Sequence, residues 1–156
     1  MDGARPRFVA DVMLGGLARW LRMMDCDVFY DRAGEDSRLL AIALSENRIL
    51  LTRDRELADR AGESGYLIQS DGTAAELREV VAAFGIPPEI YGNRCPECNG
   101  RIVDVERESI KNEVPRYTYL THQKFRRCED CGRIYWSGSH RELASEDLER
   151  MLSEED

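Results

Sequence analysis

Short apolar runs alternate with amphipathic stretches through the first 90 residues. The apolar runs predict four β-strands, at residues 7–10, 28–30, 48–51 and 66–69. Between them, apolar residues spaced three and four positions apart predict helices at 14–24, 36–46 and 55–64. A strand followed by a helix, repeated along the chain, is typical of an α/β domain with a mostly parallel sheet.

A fourth helix marks the end of this unit. A capping box, with Thr73 as the cap and Glu76 three residues later, predicts that the helix follows Thr73. Gly85 with the two prolines after it predicts its end. We therefore expect a core domain over 1–90 and a smaller module over 91–140. Apolar residues on helical spacing predict a terminal helix with an acidic tail over 141–156.

Two C-x-x-C pairs stand near the two ends of the smaller module. Cys95 and Cys98 form the first pair, and Cys128 and Cys131 form the second after 29 intervening residues. Thiolates two residues apart on a tight turn can bind one tetrahedral ion from two such turns. Cytosolic thiols are kept reduced, so we favour structural Zn²⁺ in a zinc ribbon over disulfides or a redox pair. Cys26 is interpreted as a small buried apolar side chain.

An aspartate follows each predicted strand: Asp11, Asp31, Asp54 and Asp71. Parallel strands end at one edge of a sheet, and open α/β folds bind ligands there. Carboxylates gathered at this edge would bind Mg²⁺ or Mn²⁺, which can activate water against a phosphoryl group. Aspartate is also a favoured N-cap, but its recurrence after four strands favours a metal site.

The charge is distributed unevenly. Net charge is −8, made up of −5 over 1–90, +2 over 91–140 and −5 over 141–156. Basic side chains in the middle segment, including Lys124, Arg126 and Arg127, stand among aromatic ones, a mixture that suits RNA binding. A solvated surface over a small aromatic core explains the same mixture equally well.

Several classes of protein are disfavoured. The first 90 residues contain no His, no Gly-rich phosphate loop and no G-x-S-x-G sequence, so imidazole acid–base chemistry and triad hydrolysis are not expected there. No apolar run reaches the roughly 18–20 residues of a membrane helix, and no secretory leader is visible. We therefore expect a cytoplasmic protein that does not contact a membrane.

Several runs of sequence together resemble a known family. FVAD occupies 8–11, followed by MLG at 13–15 and LARWLR at 17–22, while ILLTRD occupies 49–54 and YWSGSH occupies 135–140. With both C-x-x-C pairs, these runs resemble the Mut-seven carboxy-terminal RNase domain family, a branch of the PIN-like nucleases that carries a zinc ribbon. The resemblance extends over nearly the whole chain.

The resemblance implies a PIN-like α/β/α sandwich and divalent-metal-dependent cleavage of RNA. It places the catalytic and metal-binding acids on Asp11, Asp36 and Asp54, with Glu56 as the second acid of a T-x-D-x-D/E pattern. Three further assignments stay open. Glu35 competes with Asp36, because PIN domains more often have Glu at that place. Asp71 is the candidate fourth acid. Arg19 on the first helix could face phosphate or simply solvent.

We therefore expect a metal-dependent ribonuclease whose core hydrolyses RNA phosphodiester bonds and whose ribbon helps to bind RNA. The alternative is a non-catalytic RNA- or protein-binding zinc-ribbon protein with a degenerate core. A phosphohydrolase acting on small phosphorylated molecules is a third, weaker possibility. The sequence leaves a protein partner or a homo-oligomer open.

Overall fold

The main sheet has four parallel strands in the order β2-β1-β3-β4. The computed structural model describes residues 5–136 and 139–153, except for the side chains of 139–142. The strands are β1 (Phe8–Ala10), β2 (Val28–Phe29), β3 (Ile49–Thr52) and β4 (Gly65–Leu67). The predicted parallel sheet is confirmed.

A helix follows each strand. They are α1 (Gly15–Met23), α2 (Asp36–Ser45), α3 (Arg55–Ala61) and α4 (Thr73–Phe84). Short 3-10 helices, Val12–Leu14 and Gly62–Ser64, adjoin α1 and α3. These bounds agree with the predicted ones to within a few residues.

The strands present alternate side chains to two faces of the sheet. Phe8 and Ala10 pack with buried residues of α1 and α4, whereas Val9 packs with buried residues of α2 and α3. Since helices cover both faces, the predicted α/β/α sandwich is confirmed.

The start of α4 differs from the prediction. Gly72, at a φ of 96°, is the N-cap, and no side chain caps the helix. The predicted capping box is therefore wrong: Thr73 is already the first helical residue, so its hydroxyl no longer occupies the capping position. The end of the helix is as predicted, with Gly85 in the left-handed conformation at a φ of 63°.

The second module is a three-stranded antiparallel sheet of β5 (Ile102–Val105), β6 (Phe125–Cys128) and β7 (Ile134–Trp136). Between β5 and β6 lie a 3-10 helix, Arg107–Ile110, and a helix α5, Arg116–Thr121. Neither was predicted, because segments this short are too brief to show a helical period.

The predicted terminal helix is present as α6 (Ser139–Ser153). Leu148 is buried and belongs to the same apolar cluster as the residues of α1 and α4, and Met151 packs against that cluster. The helix therefore covers the core rather than the ribbon. In the described part of the chain, no helix is both long and apolar enough to cross a membrane.

The turn that carries Cys95 and Cys98, which we call the first cysteine turn, docks on the core beside β2. Asn99 accepts a hydrogen bond from the Val28 amide at 3.0 Å and donates one to Asp27 at 2.7 Å. Arg22 is 5% exposed and donates to the carbonyls of Val28 and Pro96. Arg22 thus joins the two modules, so its guanidinium is committed within the chain.

Candidate active site and zinc site

The parallel register places all four strand-end aspartates at one edge of the sheet, which we call the carboxyl edge. Asp11 follows β1 directly, and Asp31, Asp54 and Asp71 follow the other three strands within a few residues. The helices that follow the strands also begin at this edge, so their amide-rich N-termini give it a favourable potential for anions such as phosphate. The aspartates therefore share one edge of the sheet, and their role there stays a prediction.

Thr52 connects two of these acids. Asp11 is 3% exposed, and its Oδ2 accepts a hydrogen bond from the Thr52 hydroxyl at 2.6 Å. The same hydroxyl oxygen accepts from the Asp54 amide at 3.0 Å. Because Thr52 is fully buried, this bridge fixes the start of the loop after β3 against the end of β1.

Both linked acids also cap helices. Asp11 Oδ1 accepts from the Val12 amide at 2.8 Å, and Asp54 Oδ1 accepts from the amides of Glu56 and Leu57 at 3.0 and 3.4 Å. Asp54 Oδ2 has no hydrogen-bond donor among the described residues. Neither carboxylate has a cationic side chain as an ion-pair partner within 5–136. The capping role and a second, ligand-binding role are therefore compatible.

The other predicted catalytic acids make no side-chain hydrogen bond to this pair within the described residues. Asp36 is exposed on the first turn of α2, and Glu35 before it caps no amide with its side chain. Glu56 is exposed and bonds Asp54 through its backbone amide only. Over the described residues, no three carboxylates come close enough to share one ion.

Arg53 connects two further acids of the carboxyl edge. Asp71, the candidate fourth acid, has a side chain that is 83% exposed and lies 3.0 Å from the Arg53 guanidinium. Glu76 in the first turn of α4 is buried, 3.8 Å from the same guanidinium, and burial raises its pKa. Glu76 was not predicted as a site residue. The sequence feature that could have identified Glu76 is its place on the apolar face of α4, four positions before Val80.

The four predicted zinc ligands converge. All four Sγ atoms lie within 4.8 Å of one another, and the distances are 3.8 Å for Cys95–Cys131 and 3.4 Å for Cys98–Cys128. Zinc–sulfur bonds of roughly 2.3 Å give a tetrahedron with edges of about 3.8 Å, so the residues fit Zn²⁺.

The surroundings of the sulfurs support the same assignment. The Gly100 amide donates to Cys98 Sγ at 3.3 Å, and the Tyr135 hydroxyl lies 3.0 Å from Cys95 Sγ. A Cβ added at Gly100 would stand 2.7 Å from Cys128 Sγ, so this turn requires glycine. The donors are those that stabilise thiolates around a bound metal.

A family model for the Mut7-C RNAse domain matches residues 6–148. This range spans the core, the three-stranded sheet of the second module and most of α6. The chain belongs to this family. Comparison with curated proteins and with solved structures finds no significant match. The Mut7-C assignment agrees with the resemblance found in the sequence and gives the protein a ribonuclease-like, RNA-related character.

The cations predicted to bind RNA differ in their availability in this Mut7-C domain. Arg19 on α1 is ion-paired with Glu97 of the first cysteine turn. Arg126 donates to backbone carbonyls of its own module, and Arg127 pairs with Glu113 at 2.6 Å. The sequence predicted Arg19 on the first helix and Arg126 and Arg127, with Lys124, in the basic middle segment. Only the fourth, Lys124, is exposed without an ion-pair partner among the described residues.

The fifth cysteine of the Mut7-C domain belongs to the interior. Cys26 is fully buried in the cluster formed with α1, and burial raises its pKa to about 11. A thiol with so high a pKa is a poor nucleophile and metal ligand at neutral pH. Its interpretation as a small apolar side chain is confirmed.

Proposed function

We propose that this Mut7-C domain is a divalent-metal-dependent ribonuclease that hydrolyses RNA phosphodiester bonds at the carboxyl edge. The observation that carries the proposal is the pair Asp11 and Asp54, linked through Thr52, with no cationic partner among the described residues. Family membership supports RNA as the substrate. Four thiols in one cluster suit a reducing compartment, so we place the protein in the cytoplasm.

The donor set at this edge suits Mg²⁺ or Mn²⁺, which prefer carboxylate oxygens and keep positions open for water and phosphate. Asp11 and Asp54 would hold the ion, and Asp36 or Glu35 would add a carboxylate from the start of α2. When bound, such an ion supplies Lewis-acid stabilisation of the phosphate and a more acidic water.

The chain itself supplies orientation. Thr52 and the Val12 amide fix both oxygens of Asp11, so this buried carboxylate cannot turn away from the edge. The first turn of α3 holds Asp54 through one oxygen and leaves the other for ligands. Preorganised groups of this kind cost no reorganisation when charge develops on the substrate. Arg53, held by Asp71 and Glu76, places a cation next to Asp54 in the chain.

The zinc ribbon would assist by binding RNA away from the cleavage edge. Lys124 supports this part of the proposal best, because its ammonium is exposed. Arg19, Arg126 and Arg127 would contribute less, since each already bonds within the chain. Structural Zn²⁺ held by the four cysteines would keep this surface folded.

One observation favours the alternative of a non-catalytic binding protein. The described acids do not form a preassembled group of three metal ligands. On that account the ribbon would bind RNA or a protein, and the carboxyl edge would serve only to cap helices.

Cleavage of a mixed RNA pool with Mn²⁺ present distinguishes these two functions. Asp54→Asn removes the charge yet keeps a good N-cap, so the fold should persist while cleavage falls more than about 100-fold, beyond the loss typical of an outer-shell change. Asp59→Asn, at an exposed position of the same helix, is the matched control and should cleave normally. Equal activity of both variants would move the chemistry elsewhere, and no cleavage by any form would favour the binding protein.

A further inference from the structure

A polar cavity of about 680 Å³ lies where the three-stranded sheet of the second module meets the end of α1. Its charged lining consists of three arginines, Arg94, Arg101 and Arg126, and two aspartates, Asp25 and Asp104. None of the carboxyl-edge acids lines it. The volume falls within the range of about 300–1,000 Å³ that small-ligand sites occupy.

Backbone pairing brings the arginines together. Arg94 and Arg101 face each other in an antiparallel bridge on either side of the first cysteine turn. Arg126 stands on the neighbouring strand β6, and its guanidinium is fixed by the carbonyls of Gly92 and Ile102 at 2.6 and 3.1 Å. The three positive charges therefore belong to one rigid part of the ribbon rather than to separate flexible loops.

The aspartates only partly balance these charges. The Asp104 side chain is 94% exposed and lies 3.4 Å from Arg126 Nε, an arrangement that contributes little in water. Asp25 accepts a long hydrogen bond, 3.5 Å, from Asn93. Three guanidinium groups against two weakly engaged carboxylates leave the cavity with a positive surplus on a chain whose net charge is −8.

Arg94 and Arg101 differ in how far their guanidinium groups are open to a ligand. Arg94 Nη1 donates to the Asn99 carbonyl at 3.0 Å, and its Nε is shielded from solvent, so this side chain is held within the chain. Arg101, in contrast, is exposed, and no carboxylate of the described chain forms an ion pair with it. An oxyanion in the cavity would pair with the Arg101 guanidinium.

We propose that this cavity binds a phosphate group of an RNA strand. Guanidinium groups bind phosphate through paired, charge-assisted hydrogen bonds, which Arg101 is free to make. Arg94 and Arg126, held within the chain, add fixed positive charge beside it. The cavity lies at the opposite end of α1 from the carboxyl edge, a separation of roughly 13 Å for nine helical residues. The phosphate is therefore one that flanks the cleaved bond. The choice of RNA rests on the proposed function, whereas the anion site itself does not.

Binding of a fluorescently labelled single-stranded RNA to the zinc-loaded full chain tests this assignment. An Asp54→Asn background prevents cleavage, so a failure of the binding proposal is distinguishable from a failure of the nuclease proposal. Arg101→Gln removes an exposed charge from the cavity, and Arg116→Gln removes a matched exposed charge from α5 outside it. Affinities are measured over a range of salt concentrations, and inorganic phosphate is titrated separately with thermal unfolding as the readout.

We expect Arg101→Gln to weaken RNA binding about fivefold and to lower the salt slope by roughly 0.7, the share of one single-strand phosphate contact. Arg116→Gln should leave both unchanged. Equal effects of the two variants, or no effect of either, would overturn the site. Stabilisation by inorganic phosphate that depends on Arg101, with RNA affinity unaffected, would overturn the assignment to a strand in favour of free phosphate.

Discussion

Replacing Thr52 by Val tests the link between the two acids. The substitution preserves shape at a fully buried position, so no cavity forms, but it removes the hydroxyl that donates to Asp11 at 2.6 Å and accepts from the Asp54 amide at 3.0 Å. The charge-assisted bond is worth about 1.5–3 kcal/mol and the neutral one about 1 kcal/mol. We therefore expect the free energy of unfolding to fall by about 3 kcal/mol.

Thr52→Ser is the matched control, because it retains the hydroxyl and loses only a buried methyl group, worth about 1 kcal/mol. Urea unfolding of zinc-loaded protein, followed by circular dichroism, gives both values. RNA cleavage should fall about 10- to 100-fold in Thr52→Val, as for other residues that orient a metal ligand. If the Val variant is as stable and as active as the Ser variant, the hydroxyl bridge contributes nothing and our account of the pair is wrong.

Three other expectations concern the rest of the fold. Elemental analysis should find one zinc per reduced chain, and Cys128→Ser should lose it and unfold the ribbon while NMR signals of the core persist. Leu148→Ala should lower the free energy of unfolding by about 3 kcal/mol, because this side chain is buried against the core, whereas Leu143→Ala, 55% exposed, should change it little. Burial acts to raise the pKa of Asp27, but hydrogen bonds, led by that from Arg48, lower it to about 2. The carboxylate therefore stabilises the fold above pH 3.8, so the stability advantage of wild type over Asp27→Asn should shrink by about 2 kcal/mol as the pH falls from 5 to 2.

The core could be predicted because its signals are local. Strands such as β3 are short apolar runs, and α2 and α4 show clear three- and four-residue spacing. The C-x-x-C spacing likewise contains nearly all the geometry of the zinc site. In both cases the elements form from residues that are neighbours in the chain, so the pattern alone was sufficient.

Long-range docking could not be predicted in the same way. Arg22 looks like an exposed helix residue in the sequence, yet it is buried because the first cysteine turn docks on α1 and β2. Arg126 looks available for RNA, yet it bonds the segment that enters the ribbon. Glu76 fits a capping box, but Gly72 takes the cap and leaves this acid buried beside Arg53. Each difference arises from contacts between residues distant in sequence.

The most direct test of the central claim is the single-turnover cleavage rate of end-labelled RNA as a function of Mn²⁺ concentration. Wild type and Asp11→Asn, both zinc-loaded and matched in RNA affinity, are compared. We predict a wild-type rate that rises with Mn²⁺ and saturates, and a rate for Asp11→Asn that stays more than about 100-fold lower at every concentration. Equal rates for the two proteins, or a wild-type rate independent of Mn²⁺, would contradict the claim that these acids form a metal-dependent ribonuclease site.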